Sequence, residues 1–178
     1  QAEHDEMAAS ILITESPSLV TKVNKELKKQ VAKLERSKII EKSLKNYGVA
    51  IITNSMNESI NIANEIAPEH LEILTKDPFS IYKRINNTGA IFLGEFSPEP
   101  VGDYFAGPNH TLPTSSTAKF SSALSVDDFI TKTSLIYYSR EALKKSKDSI
   151  IMFAEDEGLT AHANSVRIRF EEEEKWYN

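Results

Sequence analysis

VAIITNSMNESINIANEIAPEHLEIL, residues 49–74, reads as strand, helix and strand in one short stretch. VAIITN (49–54) is a short apolar run rich in β-branched residues, the pattern of a buried strand. Ser55 opens the next segment, and Glu58, three positions on, completes a capping box for a helix over 55–67. LEILT (71–75) is then a second short strand. Strands that alternate with helices in this way pack as parallel neighbours, which predicts an α/β fold, part of a Rossmann-like doubly wound sheet.

The same alternation extends outward. ILIT (11–14) predicts a strand, and Ser16-Pro17 is a helix start, with serine as cap and proline at the first helical position. Apolar residues at helical spacing then run from Leu19 to a stop at Gly48. On the other side, PFSIYKRIN (78–86) predicts a short helix and GAIFLGE (89–95) a buried strand. Beyond Phe96 the chain is rich in Pro, Gly and Ser to residue 125, with no hydrophobic period, as in a functional loop. KTSLIYYS (132–139) predicts one more strand, and 140–158 and 159–177 two helices broken at Gly158. The expected organisation is an α/β body over 1–124 followed by an arm over 125–178, one strand plus helices. The arm carries apolar positions (Ile150, Ile151, Phe153; Val166, Ile168, Phe170) that need a surface to cover.

Composition narrows the function. The 178 residues are 40% hydrophobic and 26% charged, which is globular composition. A formal net charge of −5 with no long basic run argues against nucleic acid as a partner. With no cysteine there are no disulfides and no thiolate metal sites. No apolar run approaches the roughly 20 residues that span a bilayer, so a cytoplasmic protein is the default. The acidic run 171–174 reads as a solvated end.

The chain has four histidines, in QAEH (1–4), APEH (67–70), GDYFAGPNH (102–110) and EDEGLTAH (155–162), and each stands close to acid or amide groups. Gln1 and His4, three apart, would share a face of a helical turn. Adjacent Glu69 and His70, entered through Pro68, could supply two proton-transfer groups of different pKa at one place. Asp103 lies in the irregular loop, where ligands and catalysts sit on a rigid scaffold. A carboxylate, an amide oxygen and two imidazoles suit zinc, or manganese and cobalt as its relatives.

QAEHDEMAASILIT, IAPEHLEIL, the stretch 101–134 from VGDYFAGPNHTLPT to ITKTS, and AEDEGLTAHANSVRIR together resemble the histidinol dehydrogenase family. The resemblance covers most of the chain. It implies NAD-linked oxidation of L-histidinol to L-histidine through histidinal, the last step of histidine biosynthesis. It implies Gln1, His4, Asp103 and His162 as zinc ligands, Glu69 and His70 as the acid-base pair, and Glu157 as a substrate contact, with substrate also touching Gln1, His4, His70, Asp103 and His162. Family members are much longer, so it further implies that this is a C-terminal portion beginning at the first zinc-ligand motif. NAD would then be bound by an N-terminal portion, and the chain alone would be inactive. It also implies a homodimer in which the arm, with His162 and Glu157, crosses to complete a neighbour's site. Glu6, Ser115, Ser116, Lys119 and Ala123 depart from the family's usual residues; at 115–116 glycines are frequent. A catalytically silent metal-binding or assembly module is the alternative, and a zinc hydrolase using the same acid-base pair a third reading.

Overall fold

Residues 1–171 are described in the computed structural model, and they divide into two units, Gln1–Phe129 and a second from Ile130 on. The acidic run 171–174 and the end of the last expected helix lie outside them, the backbone of Glu171 excepted. The first unit carries four strands, β1 (Ser10–Thr14), β2 (Gly48–Ile52), β3 (His70–Ile73) and β4 (Ala90–Leu93). Its helices are α1 (Pro17–Val31), α2 (Ser37–Tyr47), α3 (Met56–Ile66) and α4 (Glu99–Tyr104). This is an α/β architecture. β1 pairs with β2 in parallel, Ser10 opposite Gly48, and β3 with β4 in parallel, His70 opposite Ala90. Among the described residues the strands form these two two-stranded sheets.

Local chemistry explains the elements. Ser16 accepts from the Leu19 N–H at 3.3 Å and Pro17 opens α1. Ser55 accepts from Glu58 N–H at 3.2 Å, while the Glu58 carboxylate reaches back to Asn54 N–H at 2.7 Å, so the box closes one residue early. α3 ends on Ala67, which is fully buried and left-handed at φ 48, although the residue before a proline usually prefers extended backbone.

The long helical run breaks in two. Between Val31 and Ser37 the chain turns, and α2 folds back so that Ile40 and Leu44 meet Val31 and Ala2 in one buried cluster. One continuous helix would carry Ile40 away from that cluster, and burial decides against it. The expected short helix at 78–86 is two 3-10 turns, Pro78–Ser80 and Tyr82–Arg84. The loop after Phe96 contains α4, hidden from a periodicity reading because it is only six residues long. β2 is also less covered than its sequence predicts: Val49 is 47% and Ile52 52% exposed.

The second unit pairs α5 (Arg140–Asp156) with α6 (Thr160–Glu171) around the buried Ala154 and Ala163. The predicted strand at 132–139 is not formed. A strand exists by pairing, and here Leu135, Ile136 and Tyr137 are 96%, 80% and 85% exposed, with no strand among the unit's described residues to pair with.

Ser115 and Ser116 both sit in the left-handed region, at φ 52 and φ 63, and Ser116 donates to Ile66 O at 2.7 Å. Ser115→Gly should stabilise the chain by about 1 kcal/mol, read as a higher urea midpoint. Ser116→Gly should gain less, because it also deletes that hydrogen bond. A lower midpoint for Ser115→Gly would show that the backbone there is not strained.

Candidate functional site

The first unit brings sequence-distant residues into one cleft of about 250 Å³, lined by Gln1, His4, Glu69, His70, Glu99, Asp103 and His110. Three pieces of backbone build it. The first is the N-terminal segment, a single turn closed by His4 N–H on Gln1 O at 3.1 Å. α2 pins that turn: Arg36 donates to His4 O at 3.3 Å, Lys42 pairs with Glu6 at 2.7 Å, and the buried Ser43 hydroxyl donates to Ala8 O at 2.8 Å. Folding α2 back on α1 is therefore what holds Gln1 and His4 in place.

The second piece is the entry to β3. Pro68 O accepts from Gly89 N–H and Glu69 O from Ala90 N–H, each at 2.9 Å, and the Thr88 hydroxyl adds a bond to Pro68 O at 3.1 Å. A Cβ at Gly89 would lie 2.5 Å from Glu69 O, so only glycine permits this approach. Glu69 and His70 are thus fixed where the ladder begins. The His70 ring rests beside the buried Phe92 of β4, with centroids 6.0 Å apart.

The third piece is α4. Glu72 of β3 accepts from the Glu99 N–H at 2.9 Å and anchors its start. Glu99 and Asp103, four apart, lie on one helical face. Gly102 lets that face approach, since a Cβ there would stand 2.8 Å from the Phe92 ring.

His70 is the centre of the arrangement. Both ring nitrogens are buried without a hydrogen-bond partner among the described residues. Glu99 Oε1 lies 3.5 Å from Nε2 and Glu69 Oε2 4.0 Å from Nδ1. Gln1 Nε2 donates to Glu69 at 3.4 Å, which leaves its amide oxygen for a cation. Ligand atoms of His70, Glu99 and Asp103 all lie within 4.8 Å of one another, close enough to share a metal ion. That trio overlaps the sequence-implied zinc set at Asp103 alone; Gln1 and His4 line the same cleft. Glu157, at the end of α5, and His162, in the first turn of α6, belong to the second unit. Sequence reasoning gave no role to Glu99 or His110. Glu99 could have been found from its spacing to Asp103, had the PEPVGDY segment been read as helix.

The family model for histidinol dehydrogenase matches residues 1–170. The chain belongs to the histidinol dehydrogenase family. Histidinol dehydrogenase of Caldanaerobacter subterraneus subsp. tengcongensis is 60% identical over 170 residues, covering 96% of this chain and 40% of that protein. That of Clostridium acetobutylicum is 56% identical over 170 residues, covering 96% and 39%. The crystal structure of histidinol dehydrogenase from Elizabethkingia anophelis superposes with a TM-score of 0.86 at 32% identity, over 94% of this chain and 39% of that one. The chain therefore spans about 40% of the length of the curated relatives it matches. No helix among the described residues is long and apolar enough to cross a membrane.

Burial first, then the charge of Asp103 and a hydrogen bond to it, push the Glu99 carboxyl above its ordinary range, against the opposing pull of His70. A raised folded-state pKa means the native state holds this proton more tightly than the unfolded chain. The resulting stability is present below the ordinary carboxylate pKa and lost as pH rises through the raised value. Glu99→Gln in the metal-free chain should accordingly look best at neutral pH. Its urea midpoint relative to wild type should be higher at pH 7 than at pH 4, and the reverse order would contradict this.

Proposed function

We propose that the cleft is the acid-base and metal portion of an enzyme that oxidises L-histidinol to L-histidine, through histidinal, in histidine biosynthesis. One observation carries the reading. Gln1, His4, Glu69, His70 and Asp103, far apart in sequence, line a single cleft. Family membership supports the substrate. The donor set also fits a zinc ion: an amide oxygen, an imidazole and a carboxylate share the cleft, and His162 of the second unit would supply the remaining imidazole. When bound, zinc would hold the substrate as a template and fix its reacting carbon.

The chain's own residues then move protons. His70 takes the proton from the substrate hydroxyl as the first hydride leaves its carbon. Glu69 takes a proton from the water that adds to histidinal, because a hydrate and not a free aldehyde can release the second hydride. His70 takes the hydrate's hydroxyl proton in that second oxidation. The first oxidation releases one hydride and one proton; hydration and the second oxidation together release one hydride and two protons, and the added water supplies the second carboxylate oxygen. Glu157 would contact the substrate. The family's oxidant is NAD, but the turns that leave β1 and β2 (Glu15-Ser16 and Thr53–Ser55) carry no glycine-rich phosphate cradle. No residue here is assigned to it.

Zinc content and half-reactions test this assignment in the whole protein. His4→Ala and Asp103→Ala should each lose zinc and histidinol affinity, and normal metal content in both would remove the ligand set. His70→Ala should lower kcat by about 10²–10⁴ with zinc retained. Glu69→Gln should slow oxidation of histidinal more than oxidation of histidinol; equal losses would contradict its role as the base for water.

The site is further proposed to be shared in a homodimer, the arm carrying Glu157 and His162 to a neighbour. The exposed Leu135, Ile136 and Tyr137 support an arm that seeks another surface. A His162→Ala chain and a His70→Ala chain, each inactive, should partly restore activity when co-assembled, since a mixed dimer then holds one intact site. Sites built from one chain would recover nothing.

A further inference from the structure

We propose that Glu99 is the positioning residue for His70: it accepts the proton-bearing nitrogen of the imidazole and so fixes the orientation in which the opposite nitrogen acts as base. The proposal rests on the reading of His70 as the proton-transfer group. An imidazole is a directed base only when the proton on its other nitrogen has a fixed acceptor. His70 has two carboxylates to choose from, one at each nitrogen. Glu99 Oε1 is the nearer, at 3.5 Å from Nε2, whereas Glu69 Oε2 stands 4.0 Å from Nδ1 and already accepts from Gln1. The pairing is loose, as such bonds are before substrate closes a site.

Glu99 is also anchored to the strand that carries the imidazole. Its backbone N–H is held by Glu72 of β3, the strand that His70 begins, so a movement of one carries the other. The ring itself is backed by Phe92, which Gly102 of the same helix overlies. α4 therefore packs on the ring that backs the imidazole and offers the imidazole itself an acceptor. With Nε2 engaged by Glu99, Nδ1 is the free nitrogen, and it faces Glu69, the group assigned to water in the second oxidation. The two carboxylates divide the work: one orients the imidazole, and the other attacks through water.

The experiment uses the whole protein, with histidinol oxidation, zinc content and a double-mutant cycle as readouts. Glu99→Ala should lower kcat by about 10–100-fold while KM for histidinol and bound zinc stay within about twofold of wild type. Glu99→Asp, which keeps a carboxylate, should recover part of that loss. In a His70→Ala background, Glu99→Ala should cost nothing further, because its effect runs through the imidazole. Wild-type kcat in Glu99→Ala overturns the proposal, as does an equal loss in the His70→Ala background. Loss of zinc with a raised KM in both Glu99→Ala and Glu99→Asp also overturns it and makes Glu99 a metal ligand. A wild-type protein that leaves histidinol unoxidised overturns the reading of the site and this proposal with it. An active wild type with an indifferent Glu99→Ala overturns the proposal alone.

Discussion

The parallel pairing of β3 with β4 starts at His70 opposite Ala90, and it starts there because Gly89 lets the chain come within bonding distance of Pro68 and Glu69. Any side chain at 89 would strike the Glu69 carbonyl and push Glu69 and His70 off the ladder. The rest of the cleft is hung from this junction. β3 supplies Glu72 to hold the start of α4, β4 supplies Phe92 as a floor for the imidazole, and α4 then brings Glu99 and Asp103 over it. A site on rigid strands with short connections keeps its geometry better than one on a free loop.

That geometry carries an electrostatic cost. Glu69, Glu99 and Asp103 face one small cleft, and burial first, then the charge of Asp103, holds the Glu99 carboxyl above its ordinary range. A divalent cation among them would reverse the sign of the effect, turning mutual repulsion into shared attraction. The cluster is thus stressed in just the way a cation would relieve. The same low-polarity floor that makes an unpartnered His70 expensive also sharpens any proton transfer it performs.

Much of this was legible in the sequence, for identifiable reasons. The caps at Ser16 and Ser55 are local, and local rules place the starts of α1 and α3 correctly. Gln1, His4, Glu69, His70 and Asp103 were selected as chemistry-bearing residues, and the fold puts them in one cleft. What escaped was decided at a distance. The break between α1 and α2 exists because Ile40 finds Val31 and Ala2, a contact no periodicity can show. α4 is too short to display a period, so Glu99 stayed hidden in a proline-rich run. The strand expected at 132–139 failed for the opposite reason: its propensity is real, but propensity is only fitness for a partner strand.

That failure bears on how the two units act. A run of Leu135, Ile136, Tyr137 and Tyr138 lying open to water is an unfavourable state for residues that pack best on a pleated surface. In the first unit β2 likewise leaves Val49 and Ile52 half exposed. Apolar side chains left open in a segment fit for pairing make burial against a further surface favourable by the same effect that folds the core.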